Sequence, residues 1–157
     1  MSVTATVALT LNVSESITGN APAAISPVIS HTAYSIAPTV TGTLCAFWNQ
    51  ALTAGAATVD LTNCVGTNGI AVSGSGLRVK AIQMTAASDN ANDITLTEGA
   101  SNGYELLGSG WTVGLKAGQS LLFYPAATAP QIGSSAKTID ISGTGTQSVK
   151  LSIIFGA

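Results

Sequence analysis

The chain has 157 residues and a formal net charge of −2, with 46% hydrophobic and only 8% charged residues. That length makes one domain, taken here as residues 1–157, and disorder, which needs low hydrophobicity and high net charge, is excluded. A coiled coil needs abundant Glu, Lys and Leu, and a nucleic-acid binder needs a basic stripe; five Lys and Arg in all exclude both.

Small residues fill the space that charges leave. There are 24 Ala, 20 Thr, 17 Ser and 17 Gly, together about half the chain. No segment reaches the ~18 consecutive apolar residues of a membrane span, so no membrane partner is expected. The opening residues lack a basic region, and threonines interrupt any apolar one, so they do not read as a secretory signal. They read as a strand. Val3, Ala5, Val7, Leu9, Leu11 and Val13 occupy one face, with Thr4, Thr6, Thr10 and Asn12 on the other.

Residues 14–38 hold Pro22, Pro27 and Pro38 and read as extended loop and edge segments. Thr43 to Asn49 is apolar on both faces and predicts a buried strand. Residues 51–58 are alanine-rich enough for one helical turn, but Thr53, Gly55 and Thr58 argue against more. Ala57, Val59 and Leu61 alternate with Thr58, Asp60 and Thr62. A glycine hinge follows at Gly66, Gly69, Gly74 and Gly76. Leu77 to Ala86 predicts a long strand with Arg78 and Lys80 opposite Leu77, Val79 and Ala81. Ile94 and Leu96 alternate with Thr95 and Thr97. Asn102 and Gly103 tolerate positive φ and signal a hairpin turn. Trp111, Val113 and Leu115 alternate with Thr112 and Gly114. Residues 120–124 form an apolar strand stopped by Pro125. Ile139 and Ile141 sit between Thr138, Asp140 and Ser142. In the last strand Val149, Leu151, Ile153 and Phe155 face away from Ser148, Lys150 and Ser152.

About nine or ten short strands with Gly, Pro, Asn and Ser between them predict an all-β, single-domain sandwich, jelly-roll-like. The expected core is Val7, Leu9, Leu11, Phe47, Val59, Val79, Ile94, Leu96, Trp111, Val113, Leu122, Ile139, Ile141, Leu151 and Ile153.

Chemistry is scarce. His31 is the one histidine, and no Gly-x-Ser-x-Gly elbow accompanies it, so a Ser-His-Asp relay has no frame. Cys64 with His31 lacks a basic neighbour to activate the thiol. Cys45 lies in an apolar run, Cys64 precedes a turn region, and whether they are bridged stays open. Asp89, Asp93 and Glu98 offer oxygens for a calcium loop, but Ala91 falls at a ligand position and the glycine is missing; a solvated hairpin loop is the plainer reading. Asp60, Glu98 and Glu105 are available as paired carboxylates, as any seven acids would be. Trp48, Trp111, Tyr34, Tyr104 and Tyr124 allow a sugar-stacking platform or simply pack the core. No Gly-x-x-x-x-Gly-Lys phosphate loop occurs between Gly66 and Gly76. The sequon at Asn12 should be inert without export. Neither catalysis nor a bound cofactor is expected.

The chain resembles the small Thr-, Ala-, Ser- and Gly-rich β-sandwich structural proteins of phage particles. The resemblance rests on Asn92-Asp-Ile-Thr-Leu-Thr-Glu-Gly99, Ala117-Gly-Gln-Ser-Leu-Leu-Phe-Tyr124 and the closing hairpin Lys137 to Gly156, all in the C-terminal two-fifths. It implies a virion location and a capsid or capsid-decoration role, and it carries no catalytic residue over. Few charges and a missing export signal fit a protein made in the host cytoplasm and released by lysis. Self-association, as a trimer on a larger particle, is the expected state; other virion proteins are the expected partners. Two rival classes are a carbohydrate- or receptor-binding fibre module and a secreted surface-layer or filament subunit.

Overall fold

The computed structural model describes residues 3–6, 39–125 and 128–157. Val7, Leu9, Leu11, Val13, the sequon at Asn12, His31 and Tyr34 lie outside them. The described residues 3–5, 40–125 and 128–157 belong to one compact unit.

Twelve strands occur among the described residues: β1 (Val3–Thr6), β2 (Thr39–Gly42), β3 (Leu44–Ala51), β4 (Ala56–Asp60), β5 (Cys64–Val65), β6 (Ala71–Val72), β7 (Arg78–Ala86), β8 (Ile94–Glu98), β9 (Thr112–Leu115), β10 (Ser120–Phe123), β11 (Thr138–Ser142) and β12 (Ser148–Gly156). Eight of them make two four-stranded sheets, ordered β10-β7-β12-β3 and β4-β11-β8-β9, and β1-β2 and β5-β6 form two further two-stranded sheets.

The pairing is nested. β8 pairs with β9, β7 with β10, β4 with β11 and β3 with β12, all antiparallel. The chain thus folds back on itself around residues 99–111 into one long ribbon. Winding that ribbon brings β7 beside β12 and β8 beside β11, which completes the two sheets. This strand order is a jelly roll, the architecture the alternation predicts.

Alternation explains why the two sheets face each other. Val149, Leu151, Ile153 and Phe155 of β12 join Ile139 and Ile141 of β11 and Ile94 and Leu96 of β8 in one apolar core, while Ser148, Lys150 and Ser152 point away. Strand β7 needs a correction to do the same. Its alternation from Val79 would carry Gln83 and Thr85 inward. Opposite β12, however, Ile154 pairs with Ala81 and Phe155 with Val79, which leaves Lys80 as an extra residue. This bulge moves the inward phase from odd to even positions, so Ile82, Met84 and Ala86 are buried and Gln83 is exposed.

The 99–111 connection seals one end of the sandwich. The Tyr104 side chain is completely buried. Its hydroxyl accepts from Val79 N at 3.2 Å and donates to Pro130 O at 2.7 Å, and Trp111 Nε1 donates to Tyr104 O at 2.8 Å. The backbone of Gly99 and Tyr104 donates to Thr138 O, while Lys137 and Thr138 donate to Asn102 O. Asn102 takes the positive φ expected of it. It does not make a two-residue hairpin, because β8 and β9 are joined by the whole 99–111 segment. Gly103 is required there because a Cβ would run into Gly99 O and the Glu98 side chain.

Four sequence readings change. Residues 43–49 do not form a fully buried strand: β3 is a sheet edge, and Phe47 is 41% exposed on its outer face. Leu122 stands opposite the exposed Gln83, while its neighbours Leu121 and Phe123 pack on the core. The glycine hinge is ordered as the β5–β6 hairpin closed by Gly66 N to Ile70 O at 2.8 Å. The alanine-rich 51–58 stretch makes no helix; Ala54 and Gly55 form a tight positive-φ turn into β4.

Replacing Tyr104 by Phe keeps the ring but strands Val79 N and Pro130 O. We expect unfolding in urea to cost about 1–3 kcal/mol less than in wild type, with an unchanged β-type circular dichroism spectrum. An unchanged midpoint would mean those two hydrogen bonds are dispensable.

Candidate functional site

The calcium candidates do not converge. Asp89 and Asp93 are exposed in the β7–β8 connection. Glu98 lies at the far end of β8, where its Oε2 accepts from Gly110 N at 2.6 Å. Among the described residues no three His, Cys, Asp or Glu side chains gather as a cation site. The segment is not a hairpin loop but a crossover between the sheets, and its asparagines do structural work. The Asn90 amide donates to Ser148 O and accepts from Ser148 N, both at 2.9 Å, mimicking a strand neighbour. Asn92 Nδ2 donates to Thr144 Oγ1 at 2.9 Å, and the Gln147 amide bridges Thr144 N to Asn92 O. A concavity of about 270 Å³ lies here, bounded by Asp89, Asn90, Thr144 and Gln147, but its amides are already bonded to backbone groups of Ser148, Thr144 and Asn92.

The carboxylates are likewise apart. Asp60 and Glu98 flank β11 at Thr138 and Ile139, two strand spacings or roughly 10 Å apart. Alternation sends Asp60 outward with Thr58, whereas Glu98 follows the inward phase of Ile94 and Leu96. Glu105 is exposed on the 99–111 connection. No acid–base pair forms from these three.

Of the aromatic candidates, Trp111 and Tyr104 are core, and Tyr124 is exposed beyond β10. Trp48 is half-buried on β3 and lines a surface concavity of about 510 Å³. This groove runs along the edge where β3 and β4 bound the two sheets. Phe47, Trp48, Asn49 and Gln50 form one wall, Thr58 and Asp60 the other, with Asn63, Cys64 and Val65 at the end. Phe47 and the three carboxamides Asn49, Gln50 and Asn63 are exposed. Sequence reasoning missed this set, since Phe47 reads as core and the carboxamides as edge residues. The available signal was the abrupt change from Phe47-Trp48 to Asn49-Gln50.

The acidic wall is fixed. Asp60 Oδ1 accepts from Thr62 N at 2.8 Å and Thr62 Oγ1 at 2.6 Å, and Lys137 Nζ pairs with Oδ2 at 2.7 Å. Burial raises the Asp60 carboxyl, but the bonds from Lys137 and Thr62 and the lysine charge outweigh it, so it stays below its ordinary 3.8. Cys64 Sγ donates to Asp60 O at 3.3 Å. Burial, with the Asp60 charge added, pushes that thiol up to about 11. Burial also raises Cys45, and both cysteines are free thiols.

A second surface is set by register. On the outer face of the β4-β11-β8-β9 sheet, Thr58, Asp140, Thr97 and Thr112 form one cross-strand row, and Ala56, Ser142, Thr95 and Gly114 form the next. Asp140 is the only charged group in the two rows. It accepts from Thr58 Oγ1 at 2.6 Å and from Ala100 N at 2.8 Å.

With both surfaces defined, comparison with known proteins finds no protein-family model that matches the chain and no similar sequence among curated proteins.

Two outcomes follow from the Asp60 environment. The depressed carboxyl stabilises the fold fully above its ordinary 3.8, and that contribution is lost as pH falls through its lower folded-state value. The two side chains are 27% and 32% exposed, so the effect should stay below about 1 kcal/mol. The urea-midpoint gap between wild type and Asp60→Asn should therefore narrow below pH 3.8; a gap constant down to pH 2 would contradict the pairing. Iodoacetamide at pH 8 should leave Cys64 unmodified in the folded protein and alkylate it in urea, as read by peptide mass; rapid folded-state modification would contradict its burial.

Proposed function

We propose that the protein is a structural subunit of a virus particle, a capsid or capsid-decoration protein that works by self-assembly. The observation carrying this reading is the pair of rows on the β4-β11-β8-β9 sheet. Seven of their eight residues are uncharged and carry a short side chain or, at Gly114, none. Such side chains lose little rotamer entropy on burial, and a flat hydroxyl-rich face presents few charges to desolvate. A net charge of −2 adds little repulsion between copies. The jelly roll is compatible with capsid subunits and with lectins alike, so the fold alone does not choose. The resemblance to phage structural proteins favours the first, with a virion location and other virion proteins as neighbours. A trimer is the proposed closed unit.

An obligate interface of this kind should bury roughly 2,000 Å² or more. Multi-angle light scattering on the purified protein should report a defined oligomer at micromolar concentration. Adding two lysines to the face, Thr58→Lys with Thr112→Lys, should shift it to monomer while the circular dichroism stays β-type. A wild-type monomer, or an oligomer indifferent to both lysines, would remove the support for assembly through this face.

A further inference from the structure

We propose that the groove between β3 and β4 is a binding site for neutral carbohydrate. This goes beyond the assembly reading and does not depend on it, because the groove residues other than Thr58 lie off the two hydroxyl rows.

Three features combine. The first is an exposed aromatic: Phe47 stands 41% open on the outer face of an edge strand, and Trp48, next along the strand, is half-buried on the opposite face. An apolar ring face held at a sheet edge suits the C–H face of a sugar ring, which is apolar on one side and polar around its rim. The second is hydrogen-bonding capacity of both signs. Asn49, Gln50 and Asn63 each carry an amide donor and a carbonyl acceptor, and all three are exposed around the groove. Sugar hydroxyls need partners that donate and accept, which carboxamides supply and ammonium groups do not.

The third feature is charge. Among the described residues lining the groove Asp60 is the only charged one, and Lys137 already neutralises it at 2.7 Å. Among the described lining residues a phosphate or a sialic acid carboxylate would find no cation and would face Asp60; Lys150, opposite Asn49 on β12, lies outside the lining. A neutral saccharide meets no such penalty. Asp60 is also held from three sides, by Thr62 N, Thr62 Oγ1 and Lys137 Nζ, so this wall is formed before any ligand arrives. A volume of about 510 Å³ falls within the range of small-ligand sites and leaves room for a short oligosaccharide.

An extended peptide is the competing occupant. Among the described residues β3 pairs fully with β12 on one side and meets the 64–66 segment only through the Ala46–Gly66 bridge on the other. Strand addition would use that backbone edge and would be indifferent to the carboxamide side chains. The lining chemistry therefore favours the sugar.

The test uses the full chain on a printed array of neutral mono- to tetrasaccharides, followed by titration of the best neutral glycan with tryptophan fluorescence as readout. Wild type should bind at least one neutral glycan. Phe47→Ala should weaken it about tenfold, and Asn63→Ala, at an exposed site that leaves the core intact, should weaken it measurably. Leu107→Ala, at an exposed apolar residue outside the groove, should change nothing. No binding to any neutral glycan at millimolar concentration, binding confined to anionic glycans, or binding unaffected by both groove variants would overturn the proposal. So would saturable binding of extended peptides that Asn63→Ala does not touch. Oligomer size, measured in parallel, separates failure of this site from failure of the assembly reading.

Discussion

Everything in the sandwich depends on keeping a two-residue period in phase across two sheets that share one core. The central β7–β12 ladder shows how strict this is. β12 keeps phase without help, and every second residue from Val149 to Phe155 is buried. β7 could not satisfy both its ends without the extra residue at Lys80. Without the bulge, Gln83 and Thr85 would enter the core unpaired, at a cost of a few kcal/mol each by desolvation. With it, Ile82 and Met84 fill that space, both fully buried.

The nested ribbon has a further consequence for where polar groups can go. Its fold-back segment, 99–111, must cross the end of the sandwich and so must satisfy its own backbone there. Tyr104 anchors it by reaching Val79 N and Pro130 O, which ties the connection to two parts of the chain remote in sequence. Where the β7–β8 and β11–β12 connections meet, the Asn90 and Gln147 side chains take the same role by pairing with backbone of Ser148, Thr144 and Asn92. Residues that look like ligands in a linear reading are thus spent on holding crossovers in place.

The outer surfaces divide the functional readings. One face has short, uncharged rows suited to close contact with a like surface. The open edge beside β3 and β4 has a ring, carboxamides and a neutralised carboxylate. These are separate regions with different chemistry, and occupancy of one does not require the other, apart from Thr58, which borders both.

Much of the fold was legible because a half-buried strand writes its orientation into alternate residues. The faces of β4, β8, β11 and β12 were readable in this way, and so was the positive φ at Asn102. Where the reading failed, the reason was tertiary. Phe47 and Leu122 are apolar but outward because register places them opposite the outward Ser152 and Gln83, and that register follows from pairings with distant strands, which no local pattern records. The bulge at Lys80 answers a mismatch between two strands about 70 residues apart, so neither strand alone reveals it. The groove joins residues 47–50 with 58–65 because β3 and β4 bound opposite sheets. The sequence by itself determined an all-β chain with alternating faces and little charge. The tertiary structure decided which strands became edges, and therefore which apolar and amide side chains remained at the surface, because that depends on pairings made between distant parts of the chain.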